Sequence, residues 1–169
     1  MPELPLTEWR DFYVMIGTAA GVLVGATFIV ATLASDMKDR GRLGMRGFIT
    51  PTAVHLGSVL IGSAILAVPT LTLLSLAIVL GFGGLAGAAY SIVVASRIWH
   101  MKLDHDDRAF YVLLPILAYA AMAFAAATAR AAPERTLEIL AFSLIALLII
   151  GMRNAWDMTN FMITRDRES

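Results

Sequence analysis

The run GFITPTAVHLGSVLIGSAILAVPTLTLLSLAIVLGFGGLAGAAYSIVVAS, from Gly47 to Ser96, decides how the chain folds. Between Arg46 and Arg97 its only ionisable side chains are His55 and Tyr90. As one helix these about 50 residues would reach roughly 75 Å, at about 1.5 Å per residue. The hydrocarbon core of a bilayer is only about 30 Å thick. The run must therefore fold back on itself. Proline ends or kinks a helix at the preceding residue, so Val68-Pro69-Thr70 is the expected break. The result is a tight hairpin of two membrane spans, about 49–68 and 70–97. Thr50 suits an N-cap and Pro51 a first helical position, which predicts the start of the earlier helix there.

Three further apolar stretches flank this hairpin, at about 12–34, 110–129 and 136–157. Each has the roughly 20 residues that a crossing needs. The predicted fold is an all-α, polytopic transmembrane bundle of five spans, a single domain over 1–169. Composition agrees. The chain is 59% hydrophobic and 15% charged, with a mean hydropathy of +0.76. Soluble domains are about 45–50% apolar and about 25% charged. The N-terminal MPELPLTEWRD has no basic segment, and the first apolar run is too long for a signal sequence, so it reads as a retained span. Pro115 lies inside the fourth span and is expected to kink it unless neighbours satisfy the freed carbonyl. The fifth helix has no breaker but Gly151 between Pro133 and Thr164, so it is expected to run on past the membrane.

Five spans place the two termini on opposite faces. One face then carries Lys38, Arg40, Arg42, Arg46, Arg97, Lys102, Arg108, Arg165 and Arg167, with Arg153 near the boundary. The other carries Arg10, Arg130 and Arg135. Basic residues concentrate on the cytosolic side of membrane proteins, so the N-terminus is expected outside and the C-terminus inside, in a cell (plasma or inner) membrane. Trp9, Phe12, Tyr13, Trp99, Phe110, Tyr111 and Trp156 fall near the predicted boundaries, as interfacial aromatics do.

Small residues mark where helices meet. Gly17, Gly21 and Gly25 recur every four residues in the first span, and Gly83 and Gly87 do so in the third, beside Gly81 and Gly84. In lipid, helices associate through close van der Waals contact, which small residues permit. These glycines are read as helix-packing positions, within the chain or between copies of it. The segment Val79–Gly83 carries a Gly-Phe-Gly triplet like that of a potassium filter. It lies mid-span with no threonine before it, so it too is read as packing.

Polar groups gather at the predicted cytosolic rim. His55 sits about one turn inside the second span, and the fifth span ends in Arg153, Asn154, Asp157 and Asn160. Arg153 and Asp157 are four apart and face each other. These five residues form a candidate binding rim at a pore or substrate entrance. The loop residues His100, Asp104 and His105 form a weak candidate metal site, since His100 and Asp104 have helical-ligand spacing.

Much else is excluded. There is no cysteine, hence no disulfide, thiolate site or thiol nucleophile. Net charge is zero, which gives no pull toward nucleic acid. No phosphate-binding loop, dinucleotide fingerprint, zinc-protease motif or nucleophile elbow is present, so no cofactor is expected. The expected partners are the lipid bilayer and either further copies of the chain or another membrane protein. The leading expectation is a homo-oligomeric channel or channel-like permeation protein. A non-transporting scaffold or accessory subunit comes second. A membrane enzyme with a polar site on its cytosolic face comes third.

Overall fold

The computed structural model describes residues 6–35, 39–98 and 105–166, with side chains over 8–32, 49–98 and 107–160. Among them there is no strand. The helices are α1 (Leu6–Ser35), α2 (Asp39–Leu66), α3 (Leu73–Ile98), α4 (His105–Arg108), α5 (Leu114–Thr128) and α6 (Pro133–Asp166). A π-helical turn, Ala109–Leu113, joins α4 to α5. Five segments are long and apolar enough to cross a membrane: Glu8–Thr32, Ile49–Leu66, Leu73–Ile98, Ala109–Thr128 and Pro133–Asn160. The chain is accordingly a multi-pass membrane protein by length and composition.

The registers alternate up and down through all five segments. Ser63 of α2 lies at Gly17 of α1 and Leu60 at Gly21; Leu56 lies at Gly151 of α6 and Leu144 at Gly62. Ala126, Ala123 and Tyr119 of α5 meet Gly81, Gly84 and Gly87 of α3 in turn. One end of the bundle therefore holds Tyr13, the 67–72 connection and the α5–α6 corner. The other holds Ile98, Phe110 and Arg153. α6 is the central element, touching α1, α2 and α5, while α3 leans mainly on α5. Leu137, Leu140, Leu144, Leu147 and Ile150 are buried along it, which gives α6 an inward stripe at helical spacing. Outward positions carry Val22, Phe28, Ile78, Phe82 and Phe142, all exposed and apolar, as a lipid-facing surface requires. Phe82, the centre of the Gly-Phe-Gly triplet, is 77% exposed on the outer face of α3.

Breaks follow local chemistry. Pro69 lies within the connection 67–72. Thr72 then caps α3: its Oγ1 accepts the Ser75 backbone N–H at 3.2 Å. α2 and α3 touch each other far less than α2 touches α1 or α3 touches α5. Pro51 is not where α2 begins. The helix starts at Asp39 and carries Pro51 in its interior. This corrects the expected Thr50–Pro51 start. The reason is positional: a proline removes a single ladder bond, and that loss is tolerated where neighbouring groups re-satisfy the carbonyl. Pro115 is accommodated differently. The helix widens just before it, and the Leu114 N–H reaches back five residues to the Ala109 carbonyl.

The hydroxyls inside the spans mostly bond to their own helix. Thr18, Thr27, Ser58, Ser91, Ser143 and Thr159 each donate to the carbonyl four residues back. These bonds satisfy their protons without a partner on another helix. Tyr13 differs, donating across the bundle from α1 to the Leu137 carbonyl of α6 at 3.0 Å.

Candidate functional site

Two polar clusters stand out, both on the Arg153 side of the bundle. The first is built on Tyr119 of α5. Small residues bring it there: Gly87 has no side chain, so the Tyr119 ring lies directly on α3 at that point. Gly84, one turn earlier, brings α3 against the backbone at Tyr119 and Ala123. Tyr119 is thereby pressed toward α2, where its hydroxyl meets two groups. It donates to Ser58 Oγ at 3.0 Å, and His55 Nδ1 lies 3.1 Å from it.

The direction of this chain follows from proton counting. The Val54 carbonyl can only accept, so Ser58 uses its proton there, at 2.8 Å. Ser58 must then accept from Tyr119. The tyrosine has no second proton, so His55 Nδ1 carries the hydrogen and donates to it. In the neutral ring Nε2 is the lone-pair nitrogen. The sequence His55, Tyr119, Ser58, Val54 ends at a backbone carbonyl, so it passes no proton onward. It fixes the imidazole in one orientation and tautomer. His55 is 2% exposed, and the Tyr90 ring of α3 stands edge-on to it, with centroids 6.4 Å apart.

The second cluster lies where α6 passes the π-helical turn. Arg153 Nε is 3.6 Å from Asp157 Oδ2, and its guanidinium lies over the Phe110 ring at 4.1 Å. The π turn supplies that ring, and it also carries Tyr111, which is buried. On the inner side, Asn154 is 0% exposed. Neither its Oδ1 nor its Nδ2 has a hydrogen-bond partner, and Asp157 Oδ2 has none either. From Leu56 at Gly151 the antiparallel register runs one turn on to Thr52, also buried, at the height of Asn154.

The five rim residues are thus divided. Arg153, Asn154 and Asp157 share one end of α6. His55 is tied to Tyr119 and Ser58, and Asn160 is exposed. His100, Asp104 and the His105 side chain lie outside the described residues. Among the described residues no group of three or more His, Cys, Asp or Glu could hold a metal. Of the glycines, Gly17 is tight against Ser63 Cβ, at 2.9 Å from where its own Cβ would be, and Gly21 is in ordinary contact with Leu60. Gly87 lies under Tyr119, while Gly25 and Gly83 have nothing within 4 Å of a Cβ position.

The sequence reading gave Tyr119 no special place among the interior hydroxyls. The signal for it lies in His55 and Ser58, three apart on one helix face, which together offer a donor and an acceptor to a single partner. Nothing in the sequence names that partner, which stands 64 residues from His55. The chain matches no protein-family model, no curated protein and no solved structure.

Proposed function

We propose that this chain is a small channel-like permeation protein of the cell membrane, working as a homo-oligomer with its Arg153 end in the cytosol. The carrying observation is a succession of polar side chains, buried at Asn154, Thr52, His55 and Tyr119 and half-buried at Arg153, Asp157 and Ser58, where α2 meets α6 and α5. It runs from Arg153–Asp157 through Asn154 and Thr52 to His55, Tyr119 and Ser58. Buried polar groups inside a membrane bundle are expensive and mark solute pathways more often than structure alone requires. Elsewhere the buried polar groups are scattered hydroxyls, of which Thr27, Ser91 and Ser143 bond to their own helix. Orientation rests on the basic-residue asymmetry, and assembly on Gly25, which meets no side chain of its own chain.

The test is reconstitution of purified protein into liposomes, with subunit number from native mass spectrometry and flux measured for ions and small neutral solutes. Oligomers with solute flux that falls in Asp157→Asn support the proposal. A stable monomer passing nothing overturns it.

A second reading, a non-transporting accessory subunit, is favoured by the buried leucine stripe of α6, which fills the centre of the bundle. It requires that the chain co-purify with a defined larger membrane complex and lose stability when that partner is deleted.

A further inference from the structure

We infer that the Arg153 end of the bundle is a gate in its shut position, and that Asn154 is the group that becomes hydrated when it opens. The inference rests on the permeation reading for what an opening would serve. Its tests read water access and melting rather than flux, so the two can fail separately.

The starting point is an unfavourable arrangement. An asparagine amide offers two N–H donors and an oxygen with two lone pairs. Asn154 is fully buried with neither end satisfied, and the adjacent Asp157 Oδ2, though ion-paired with Arg153 Nε at 3.6 Å, accepts no hydrogen bond. Each of these three atoms exposes less than 1 Å², which leaves no room for a water beside them. A leucine has the same branched outline as asparagine and no desolvation cost. Asn154 therefore makes the shut state worse than an apolar residue would. That choice of residue favours a state in which its amide meets water.

The surroundings can supply such a state. The neighbouring element is the π-helical turn Ala109–Leu113, which holds Phe110 beneath Arg153 and carries Tyr111. π turns hold one residue more than an α turn, so a local return to α geometry re-aims their side chains. One turn before Asn154, Gly151 lies on Leu56 with no side chain to lock the two helices. Displacing Phe110 would release Arg153 from its ring contact and let the end of α6 swing from the turn. Asn154, Asp157 and Thr52 would then face the vestibule together. Just beyond Thr52 on α2 stands His55, already held by Tyr119.

The chain has no cysteine, so an introduced one is a clean reporter. Thr52→Cys, at the height of Asn154 on the facing helix, is made alone and together with Asn154→Leu. Each is reconstituted in nanodiscs and exposed to a small cationic methanethiosulfonate. With Asn154 present the cysteine reacts. With Asn154→Leu the reaction slows about ten- to a hundred-fold, the shift that removing an unsatisfied buried amide gives an open–shut equilibrium. Asn154→Leu also melts at a higher temperature than the parent. Equal reaction rates in the two backgrounds overturn the inference, whatever the melting does. If the leucine variant does not assemble, Asn154→Val is read in its place by the same criterion.

Discussion

Replacing Gly84 by alanine tests the packing of α3 with one methyl group. An added Cβ would stand 2.6 Å from the Ala123 nitrogen, 2.9 Å from the Tyr119 carbonyl oxygen and 3.0 Å from Ala123 Cα. All three are backbone atoms, so no rotamer change relieves the clash. Ordinary contact begins at 3.4 Å, and moving from 2.6 to 3.4 Å parts α3 from α5 by about 0.8 Å at that point. A gap of that size forfeits roughly a quarter to a half of the dispersion energy of the flanking contacts. Overpacking of this kind costs about 1–3 kcal/mol. Alanine returns roughly 0.5–1 kcal/mol over glycine through lower backbone entropy. The net expectation is a loss of roughly 0–2.5 kcal/mol, centred on about 1 kcal/mol. Gly83→Ala is the matched control: it has the same entropy gain and no atom within 4 Å of its Cβ. It should leave stability unchanged or raise it by roughly 0.5 kcal/mol. Thermal unfolding of both variants in lipid nanodiscs makes the comparison. Equal melting of Gly84→Ala and Gly83→Ala would refute the α3–α5 contact.

Other variants probe the remaining contacts. Tyr119→Phe leaves the His55 Nδ1–H without its acceptor and should cost about 1–3 kcal/mol in the same melting assay; Tyr119→Phe with Ser58→Ala should cost less than the sum of the two singly, because they share one chain of bonds. Arg153→Ala should cost about 1–2 kcal/mol, more than the roughly 0–1 kcal/mol of an exposed ion pair, because the guanidinium also covers Phe110. Arg153→Lys should fall between, since an ammonium matches the ring less well, and equal melting of all three forms would mean a solvated, uncoupled pair. Gly17→Val should part α1 from α2 at Ser63, read as a lower melting temperature, whereas Gly25→Val should leave the fold of a single chain intact and reduce the oligomer seen by native mass spectrometry.

What the sequence discloses and what it hides follow from the solvent. Long uncharged runs announce their own crossings, because lipid leaves the backbone no option but helix. The five stretches were legible for that reason, and so was the unbroken run of α6 from Pro133 to Asp166. Pairing is harder to read. In a soluble helix the polar face marks the outside. Here the lipid-facing Phe82 and the buried Leu80 are both apolar, so the azimuth of α3 is not written in hydropathy. This is why four-residue spacing draws attention to Gly83, while its neighbour Gly84 makes the backbone contact, in a row with Gly81 and Gly87. The start of α2 eluded the same reading: Thr50-Pro51 has the chemistry of a helix start, yet the helix runs through it from Asp39. His55 was visible as an isolated polar group, but its bond to Tyr119 depends on how α2 and α5 are juxtaposed, which no local pattern encodes. The π turn was foreshadowed only by Pro115, whose missing donor requires some adjustment upstream and does not say which.

Everything rests on five crossings in lipid with the ends of the chain on opposite faces. The direct measurement uses the absence of native cysteine: Glu8→Cys and Ser169→Cys, made singly, are labelled in sealed membrane vesicles of known orientation with a membrane-impermeant maleimide. The five-span account predicts that Glu8→Cys reacts only from outside and Ser169→Cys only once the cytosolic face is opened. Labelling of both from one face would contradict it.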